Sequence, residues 1–369
     1  MRTRCRLNLP VLWMLVALFV AAPSALADEI DDYVEKERQA LKIPGIALLV
    51  VKDGQTVKAQ GYGLANVEHS VPVTAETIFQ SGSMGKQFTA TGVMMLVEDG
   101  RLALDDSVRK VLTDAPESWQ PITVRHLLSH TSGLGDYPVS FNLQRDYTED
   151  QLLEAIYKSK LDFAPGDDWR YSNLGYATLG ILMHKVAGKP YGEFLAERIF
   201  RPLGMTATRI ISEADIVPHR AAGYRLVDGE LKNQTWVAPT LNTTADGSLY
   251  VNLLDMARWN AALDTEQLVK RTTLEQMWTP VPLHNGQPNK GNYGFGWVCE
   301  DVAGHRVMQH GGAWQGFVSH IARYPDDRLT VVTLANLSAG SFTRSPGIGR
   351  HVAGMYVPAL KPSSGEHDE

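Results

Sequence analysis

The stretch ETIFQSGSMGKQFTATGVMML, residues 76–96, determines how the rest of the chain is interpreted. Its second half is apolar at most positions, which predicts a largely buried helix that ends near Gly100. Two serines, Ser81 and Ser83, lie just before this helix, and Lys86 follows Ser83 by three residues. The stretch therefore predicts a loop that delivers one of the two serines to the start of a buried helix.

Ser83, Met84, Gly85 and Lys86 form a Ser-x-x-Lys sequence. Residues i and i+3 of a helix share a face, so the Lys86 side chain can reach the Ser83 hydroxyl. The positive end of the helix dipole favours an alkoxide there, and a desolvated lysine has a lowered pKa that suits it to accept a proton. Ser81 has a methionine at the matching position. Ser83 is therefore the candidate nucleophile, and Ser81 is expected in the loop that caps the helix.

Two later stretches carry further candidate site residues. WRYSNLGY, residues 169–176, places Tyr171 and Asn173 on a loop just before an apolar helix. VMQHGGAWQGF, residues 307–317, places His310 at the end of a strand and before two glycines, whose bare backbone lets a substrate approach closely. Taken singly, the tyrosine is compatible with ordinary packing and the histidine with a structural role.

The order of these motifs resembles that of the class C β-lactamase, penicillin-binding-protein and esterase superfamily of serine hydrolases. That superfamily carries Ser-x-x-Lys, then Tyr-x-Asn, then a Lys/His-x-Gly strand, as this chain does. The resemblance covers the chain from about residue 30 to 337. Three further stretches are similar to ones common in it: LLSHTSGLGDY (127–137), ADGSLYVNLLDMARW (245–259) and YGFGW (293–297).

The resemblance implies two acyl transfers through an acyl-enzyme, with no cofactor. Ser83 would be the acylated nucleophile, and Lys86 and Tyr171 would activate it. Which of the two is the formal base stays open, because closely coupled groups titrate as a pair. The backbone N–H groups of Ser83 and Ala313 would form the oxyanion hole. The residues expected to bind the substrate are Asn173, His310, Gly311 and Ala313.

One position departs from the β-lactamase pattern. β-Lactamases of this kind and many DD-peptidases carry a lysine where His310 stands, whereas esterase-like and D-peptidase-like members often carry histidine. A histidine is mostly neutral at pH 7, so it pairs less strongly with a substrate carboxylate. We therefore expect small uncharged esters to be cleaved readily and cephalosporins slowly. As the pH falls from 8 to 6, kcat/KM for anionic substrates is expected to rise relative to that for neutral substrates, because His310 becomes charged.

Three functions follow from these residues. The first is an exported serine hydrolase that cleaves an ester or amide bond in a small molecule. The second is a D-amino-acid peptidase or a weak class C-type β-lactamase. The third is a non-catalytic binding relative of the same fold. The presence of Ser83, Lys86 and Tyr171 together favours an enzyme.

The hydrophobic pattern predicts an α/β (α+β) fold, in which an antiparallel sheet is flanked by helices and carries an inserted, mainly helical region. Residues 45–66 form two strand-like runs around Asp53-Gly54, and residues of about 105–215 are rich in helical periodicity. Strand-like runs resume after about residue 222, so the two ends of the chain are expected to share one sheet. These later runs are YGFGWVCE (293–300), HRVMQHGG (305–312), GFVSHIARYP (316–325) and RLTVVTLAN (328–336).

The N-terminal segment differs from the rest of the chain. Three arginines precede a 12-residue apolar run, VLWMLVALFVAA (11–22), and ALA at residues 25–27 is a small-residue cleavage pattern. We expect a signal peptide over residues 1–27, a single catalytic domain over residues 28–360 and a polar tail over residues 361–369. The mature protein would be periplasmic or secreted, without stable membrane insertion.

Charge and metal-ligating residues limit the remaining functions. Cleavage after Ala27 would change the formal net charge from −6 to −9, which argues against nucleic acid as a partner. His126 and His130 have a spacing that can bind zinc on a helix, but no third ligand lies near in sequence, so no metal is expected. Cys299 would be left without a disulfide partner. The oligomeric state is not readable.

Overall fold

The computed structural model describes residues 25–138, 140–338 and 344–362. Strands with short connections lie at both ends of this region, and helices fill the middle. The strands are β1 Gly45–Lys52, β2 Gln55–Asn66, β3 Val71–Pro72, β4 Phe79–Gln80, β5 Arg209–Ile210, β6 Tyr224–Val227, β7 Glu230–Asn233, β8 Leu249–Val251, β9 Val298–Val302, β10 His305–Trp314, β11 Phe317–Tyr324 and β12 Leu329–Ala335.

The helices fall into one group that covers the sheet and another that forms the region between its two halves. They are α1 Ala25–Ala40, α2 Lys86–Glu98, α3 Val124–Leu128, α4 Glu149–Tyr157, α5 Asn173–Ala187, α6 Tyr191–Leu195, α7 Leu253–Ala262, α8 Arg271–Met277 and α9 Arg344–Tyr356. A short π-helical turn, Ala196–Phe200, continues α6. Helices α3 to α6 lie within the stretch predicted to be helical, between residues 105 and 215.

The main sheet joins the two ends of the chain. Its strand order within the described residues is β3-β2-β1-β12-β11-β10-β9, and neighbouring strands are antiparallel. Strand β1 pairs with β12 from Ile46 opposite Ala335 to Lys52 opposite Leu329. The predicted sheet formed by both ends of the chain is therefore confirmed, as is the β1–β2 hairpin at Asp53-Gly54.

Strand β1 shows why its sequence is apolar at successive positions rather than at alternate ones. Ala47, Leu49 and Val51 face the large core that contains α2 and the helical region. Ile46, Leu48 and Val50 face a second core formed with α1 and α9. A strand covered on both faces needs a continuous apolar run, because successive side chains point to opposite sides of the sheet.

The predicted strand YGFGWVCE is only partly correct, because β9 begins at Val298. Residues 293–297 form an irregular loop instead. Gly296 has a φ of +78°, a backbone angle that residues with a side chain rarely adopt. A methyl group added to Gly294 would lie 2.1 Å from the carbonyl oxygen of Met277. The two glycines therefore serve a bend and a close backbone approach.

The two ends of the chain lie partly outside the described residues. Of the expected signal peptide, residues 1–24 are not described, and residues 25–27 form the first positions of α1. Of the expected tail, residues 361–362 are described and 363–369 are not. Among the helices of the described part of the chain, none combines the length and apolar character needed to cross a membrane. The domain limits stay predictions.

Candidate active site

The Ser83–Lys86 segment forms a tight turn that leads into α2. Residues Gly82–Gly85 are a 3₁₀ helix, and Lys86 is the first residue of α2. In a 3₁₀ helix the side chains at i and i+3 eclipse one another, so the turn brings this serine and lysine together. The Lys86 Nζ atom lies 3.0 Å from Ser83 Oγ, which confirms the predicted contact.

Lys86 is fully buried, and its ammonium group has three acceptors. They are Ser83 Oγ, Asn173 Oδ1 at 2.7 Å and the backbone carbonyl oxygen of Asp246. Burial lowers the pKa of Lys86 to about 8, although the negative charges of Asp246 and Asp136 oppose the shift. A lysine in this state exchanges a proton easily near neutral pH.

Tyr171 packs directly against this lysine. Its ring centroid lies 4.8 Å from Lys86 Nζ, and its hydroxyl oxygen is buried without a hydrogen bond of good geometry. Burial raises the pKa of Tyr171 well above its ordinary range, although the Ser83 hydroxyl nearby acts in the opposite direction. The His130 ring packs against Tyr171 with the ring centroids 4.4 Å apart and accepts a hydrogen bond from the Ser172 N–H, which fixes the loop.

Asn173 connects the lysine to an exposed carboxylate. Its position follows from the local sequence, because Ser172 caps α5 by accepting a hydrogen bond from the Gly175 N–H at 2.8 Å. The Asn173 side-chain oxygen accepts from Lys86, and its Nδ2 donates to both oxygens of Asp136 at 3.0 and 3.1 Å. The amide is therefore oriented from both sides.

The C-terminal part of β10 lies against the Ser83 turn. A methyl group added to Gly82 would lie 2.6 Å from the backbone nitrogen of Ala313, and one added to Gly312 would lie 2.0 Å from the Ser81 carbonyl oxygen. Glycine at both positions permits this approach. The structure thus brings Ala313 beside Ser83, and Gly311, half-buried, lies in the same strand segment.

His310 occupies a different place from the one expected. It is buried, and its Nε2 lies 2.8 Å from the Tyr293 hydroxyl while Nδ1 lies 2.6 Å from the Gly311 carbonyl oxygen. A carbonyl oxygen only accepts, so Nδ1 carries the proton and Nε2 accepts from Tyr293. Burial, together with the Lys86 charge, lowers the pKa of His310 to about 3. The expectation that it gains charge between pH 8 and pH 6 is wrong.

The Ser81 side chain donates its hydrogen bonds to backbone carbonyl groups rather than contacting Lys86. It is fully buried and donates to the carbonyl oxygen of Gly247 at 3.0 Å, and it makes no side-chain capping bond to the turn. Its expected place in the loop before the helix is confirmed, but it holds the loop to residue 247 rather than capping the helix. A second Ser-x-x-Lys, Ser107–Lys110, has its serine capping a different turn and its lysine paired with Asp106.

A small cavity of about 100 Å³ opens beside Ser83. Trp314 lines it and donates from Nε1 to Asn242 Oδ1 at 2.7 Å. Tyr137 and Phe141 pack against each other with their ring centroids 4.8 Å apart and are not part of its lining. Larger cavities lie elsewhere in the described part of the chain, and Ser83 lines none of the four that are larger than this one. The lining consists of Gly82, Ser83, Asn173, Asp246, Gly247, Ser248, Ala313 and Trp314.

The remaining candidates have structural surroundings. Within the described residues no group of three or more His, Cys, Asp or Glu side chains is arranged to hold a metal ion. His130 lies in the aromatic cluster under Tyr171, and His126 closes a capping box with Thr123 at the start of α3. Cys299 is buried as a free thiol, and burial raises its pKa to about 12.

The family of this chain follows from the extent of its similarity to known proteins. The Beta-lactamase family model matches residues 30–350, which is most of the described chain. The chain belongs to the beta-lactamase family. It is thereby placed among the serine hydrolases, and the expected superfamily and fold class are confirmed.

Several proteins resemble this beta-lactamase family member over most of its length. Penicillin-binding protein 4* of Bacillus subtilis is 30% identical over 78% of this chain and 67% of its own, and the D-aminopeptidase of Gluconobacter oxydans is 30% identical over 85% and 60%. The D-amino acid amidase of Ochrobactrum anthropi SV3, solved with L-phenylalanine amide, superposes with a TM-score of 0.78 at 25% identity, covering 91% of this chain and 99% of its own. The chain thus spans about 60–67% of these two curated relatives.

Sequence reasoning missed three polar residues around the site. Asp246 lines the cavity, Asp136 orients Asn173, and Tyr293 holds His310. Each lies inside a stretch that carried the resemblance: ADGSLYVNLLDMARW, LLSHTSGLGDY and YGFGW. The similarity of those stretches could have marked them, but no spacing rule connects them to Ser83.

Proposed function

We propose that this chain hydrolyses a small ester or amide through an acyl-enzyme on Ser83. The observation that carries the proposal is the 3.0 Å contact between Ser83 Oγ and the buried Lys86 Nζ, at the edge of a cavity. The Ser83 oxygen attacks the carbonyl carbon, and its proton passes to neutral Lys86. Lys86 returns the proton to the leaving group, which departs as an alcohol or amine.

Lys86 is the better candidate for the base than Tyr171. With a pKa of about 8, a useful fraction of Lys86 is neutral at neutral pH. Burial holds Tyr171 in its phenol form, because its pKa lies well above the ordinary range. A phenol in contact with the lysine and serine suits a proton relay. In the second half of the reaction, water attacks the acyl carbonyl carbon while its proton passes to neutral Lys86. Lys86 returns this proton to the Ser83 oxygen as the acyl–oxygen bond breaks, which releases the acid and restores Ser83.

The oxyanion of each tetrahedral intermediate would accept from the backbone N–H groups of Ser83 and Ala313. The close approach of Gly82 to the Ala313 backbone supports this assignment, as does the fact that Ser83 and Ala313 line the same cavity. One such fixed donor typically contributes about 10²- to 10³-fold in rate. Asn173 would position the lysine through its Oδ1, and Gly311 would offer backbone to the substrate.

Small acyl groups without a negative charge are the best-supported substrates. The cavity is small, and His310 is a neutral, buried partner of Tyr293 rather than a cation for a substrate carboxylate. A D-amino-acid peptidase or amidase is the second candidate, because two relatives have those activities in their names. A weak β-lactamase is less well supported, because penicillins and cephalosporins carry a carboxylate.

The proposal is tested with purified protein by comparing p-nitrophenyl acetate and a chromogenic cephalosporin at pH 8. We expect a larger kcat/KM for the ester and labelling of Ser83 by a fluorophosphonate. A larger kcat/KM for the cephalosporin would restore the β-lactamase interpretation. Absence of both turnover and label would favour a non-catalytic binding protein.

We also propose that the protein acts in the periplasm or outside the cell after cleavage following Ala27. The basic and apolar segments of residues 2–22 and the small residues before Asp28 support this. Mass spectrometry of the protein produced in a bacterial host is the test. A mature N-terminus at Asp28 is expected, and an intact N-terminus in the membrane fraction would contradict it.

A further inference from the structure

The cavity beside Ser83 has an acidic wall. Asp246 belongs to its lining and is more than nine-tenths buried, while none of the other lining residues carries a charge. One carboxylate oxygen of Asp246 accepts a hydrogen bond from the Thr244 hydroxyl at 2.5 Å. Asp136, which accepts from Asn173, adds a second negative charge nearby. The one charged residue of this lining is therefore acidic, and no basic residue belongs to it.

The nearest cation is not available to balance a negative substrate. In the protonated form of Lys86 the three N–H bonds have three acceptors, namely Ser83 Oγ, Asn173 Oδ1 and the backbone oxygen of Asp246, and in the neutral form that acts as the base Lys86 carries no charge. His310 donates to the Gly311 carbonyl and is neutral. A carboxylate next to the scissile bond would therefore lose water without gaining a charged partner in the cavity.

We propose that Asp246 binds an ammonium group carried by the acyl part of the substrate, next to the carbonyl that Ser83 attacks. The substrate class is then an ester or amide of an amino acid, or a peptide with a free amino terminus. This inference rests on the proposed function. Asp246 acts only as a charge partner and takes part in no bond making, so it is a specificity-determining residue.

The surroundings of Asp246 fit this role. A buried carboxylate is unfavourable unless it is paired, and burial raises the pKa of Asp246 while the Lys86 charge lowers it. An arriving ammonium would supply a second favourable charge and a charge-assisted hydrogen bond. Such a bond is typically worth about 10- to 100-fold in binding or rate.

The test compares two substrates that differ in one group. The S-benzyl thioesters of L-alanine and D-alanine carry an ammonium group where the S-benzyl thioester of isobutyric acid carries a methyl group. Release of the thiol at pH 6.5, where the alanine amine is protonated, gives kcat/KM for each. For the wild-type protein we expect kcat/KM to be larger for one enantiomer of the alanine ester than for the isobutyryl ester. In Asp246→Asn the ratio should fall by about 10- to 100-fold. The ratio is the readout, because loss of the Asp246 charge also lowers the pKa of Lys86 and so changes the turnover of both esters.

Asp136→Asn is the matched control, because it removes the same charge from an exposed carboxylate near the site. Screening by solvent should limit its effect on the ratio to less than about threefold. An Asp246→Asn ratio equal to that of the wild-type protein would overturn the assignment. So would an equal fall of the ratio in both variants, which would indicate the field of the whole site.

A third substrate makes the test independent of variant folding. The S-benzyl thioester of succinic acid carries a carboxylate, and the wild-type protein should cleave it more slowly than the isobutyryl ester. A preference for the isobutyryl or succinyl ester over both alanine esters would overturn the inference while leaving the hydrolase function intact. Failure to cleave any of them, with no label on Ser83, would overturn the hydrolase function and this inference together.

Discussion

Lys86 Nζ and Ser83 Oγ lie 3.0 Å apart, with the lysine wholly excluded from solvent and the serine half-buried at a cavity. The pair is built from a single turn of 3₁₀ helix, so the distance depends on local geometry rather than on a long-range contact. Long-range contacts from Asn173 and the Asp246 carbonyl then fix the lysine from the other side.

Ser83→Ala should abolish turnover with little change in the melting temperature, because it removes a half-buried hydroxyl and no core volume. Ser81→Ala should show the opposite pattern. It removes the hydrogen bond to the Gly247 carbonyl, which keeps the Leu249 N–H as a donor, and should cost about 1 kcal/mol of stability while turnover is retained. Ester hydrolysis and thermal unfolding distinguish the two. If Ser81→Ala were the inactive variant, the nucleophile would be misassigned.

Lys86→Ala should lower kcat by about 10²–10⁴, the range for a group that transfers a proton. The second Ser-x-x-Lys provides its matched control. Lys110 pairs with Asp106 on the surface, so Lys110→Ala should leave kcat unchanged. Steady-state ester hydrolysis is the measurement, and equal losses in the two variants would contradict a special role for Lys86.

Tyr171→Phe should lower kcat by a similar factor, about 10²–10⁴, while stability changes little, because the lost hydroxyl has no hydrogen bond of good geometry to give up. The double variant with Lys86→Ala should lose much less than the product of the single losses, since the residues act as one unit. Additive losses would mean that the phenol works independently of the lysine.

The pH dependence of kcat/KM should follow Lys86. The base must be neutral, so kcat/KM for an uncharged ester should rise with pH through about 8 and then level off. His310 should add no step near pH 6.5, because burial lowers its pKa to about 3. A profile between pH 5 and pH 10 is sufficient. An inflection near 6.5 that disappears in His310→Asn would show that the histidine titrates in the free enzyme.

Gly312→Ala should destabilise the fold by about 1–3 kcal/mol and sharply reduce turnover, because its methyl group would lie 2.0 Å from the Ser81 carbonyl oxygen. Gly347→Ala is the control, since nothing lies within 4 Å of the added methyl and alanine favours helix α9. Urea unfolding gives both values. Equal stabilities of the two variants would mean that β10 can move away from the Ser83 turn.

Patterns that depend on neighbouring residues were readable from the sequence. The β1–β2 hairpin, the Ser83–Lys86 contact and the apolar helix after Tyr171 follow from spacing and turn chemistry, and the structure confirms them. The family resemblance brought Tyr171, Asn173 and Ala313 to the same site, and the structure places them close to Ser83.

What could not be read depends on tertiary burial. The charge of His310 is set by exclusion from water and by the nearby charge of Lys86, neither of which a local pattern reveals. The same applies to Asp246, whose carboxylate acquires meaning only when residue 246 lies at the cavity beside Ser83. The loop at residues 293–297 resembled a strand because its aromatic residues have strand propensity, while its glycines are needed for a bend.

The pairing of β1 with β12 has a consequence for the growing chain. The centre of the sheet can form only when Ile46 pairs with Ala335. Ala313 likewise reaches the Ser83 turn only through the strands next to β12. Contacts between such distant residues form late, because a long loop must close first. A chain still emerging from the ribosome therefore holds its serine and lysine without the second oxyanion donor. The active site is complete only when the last strands have been added, so partly synthesised or truncated chains should show no hydrolytic activity.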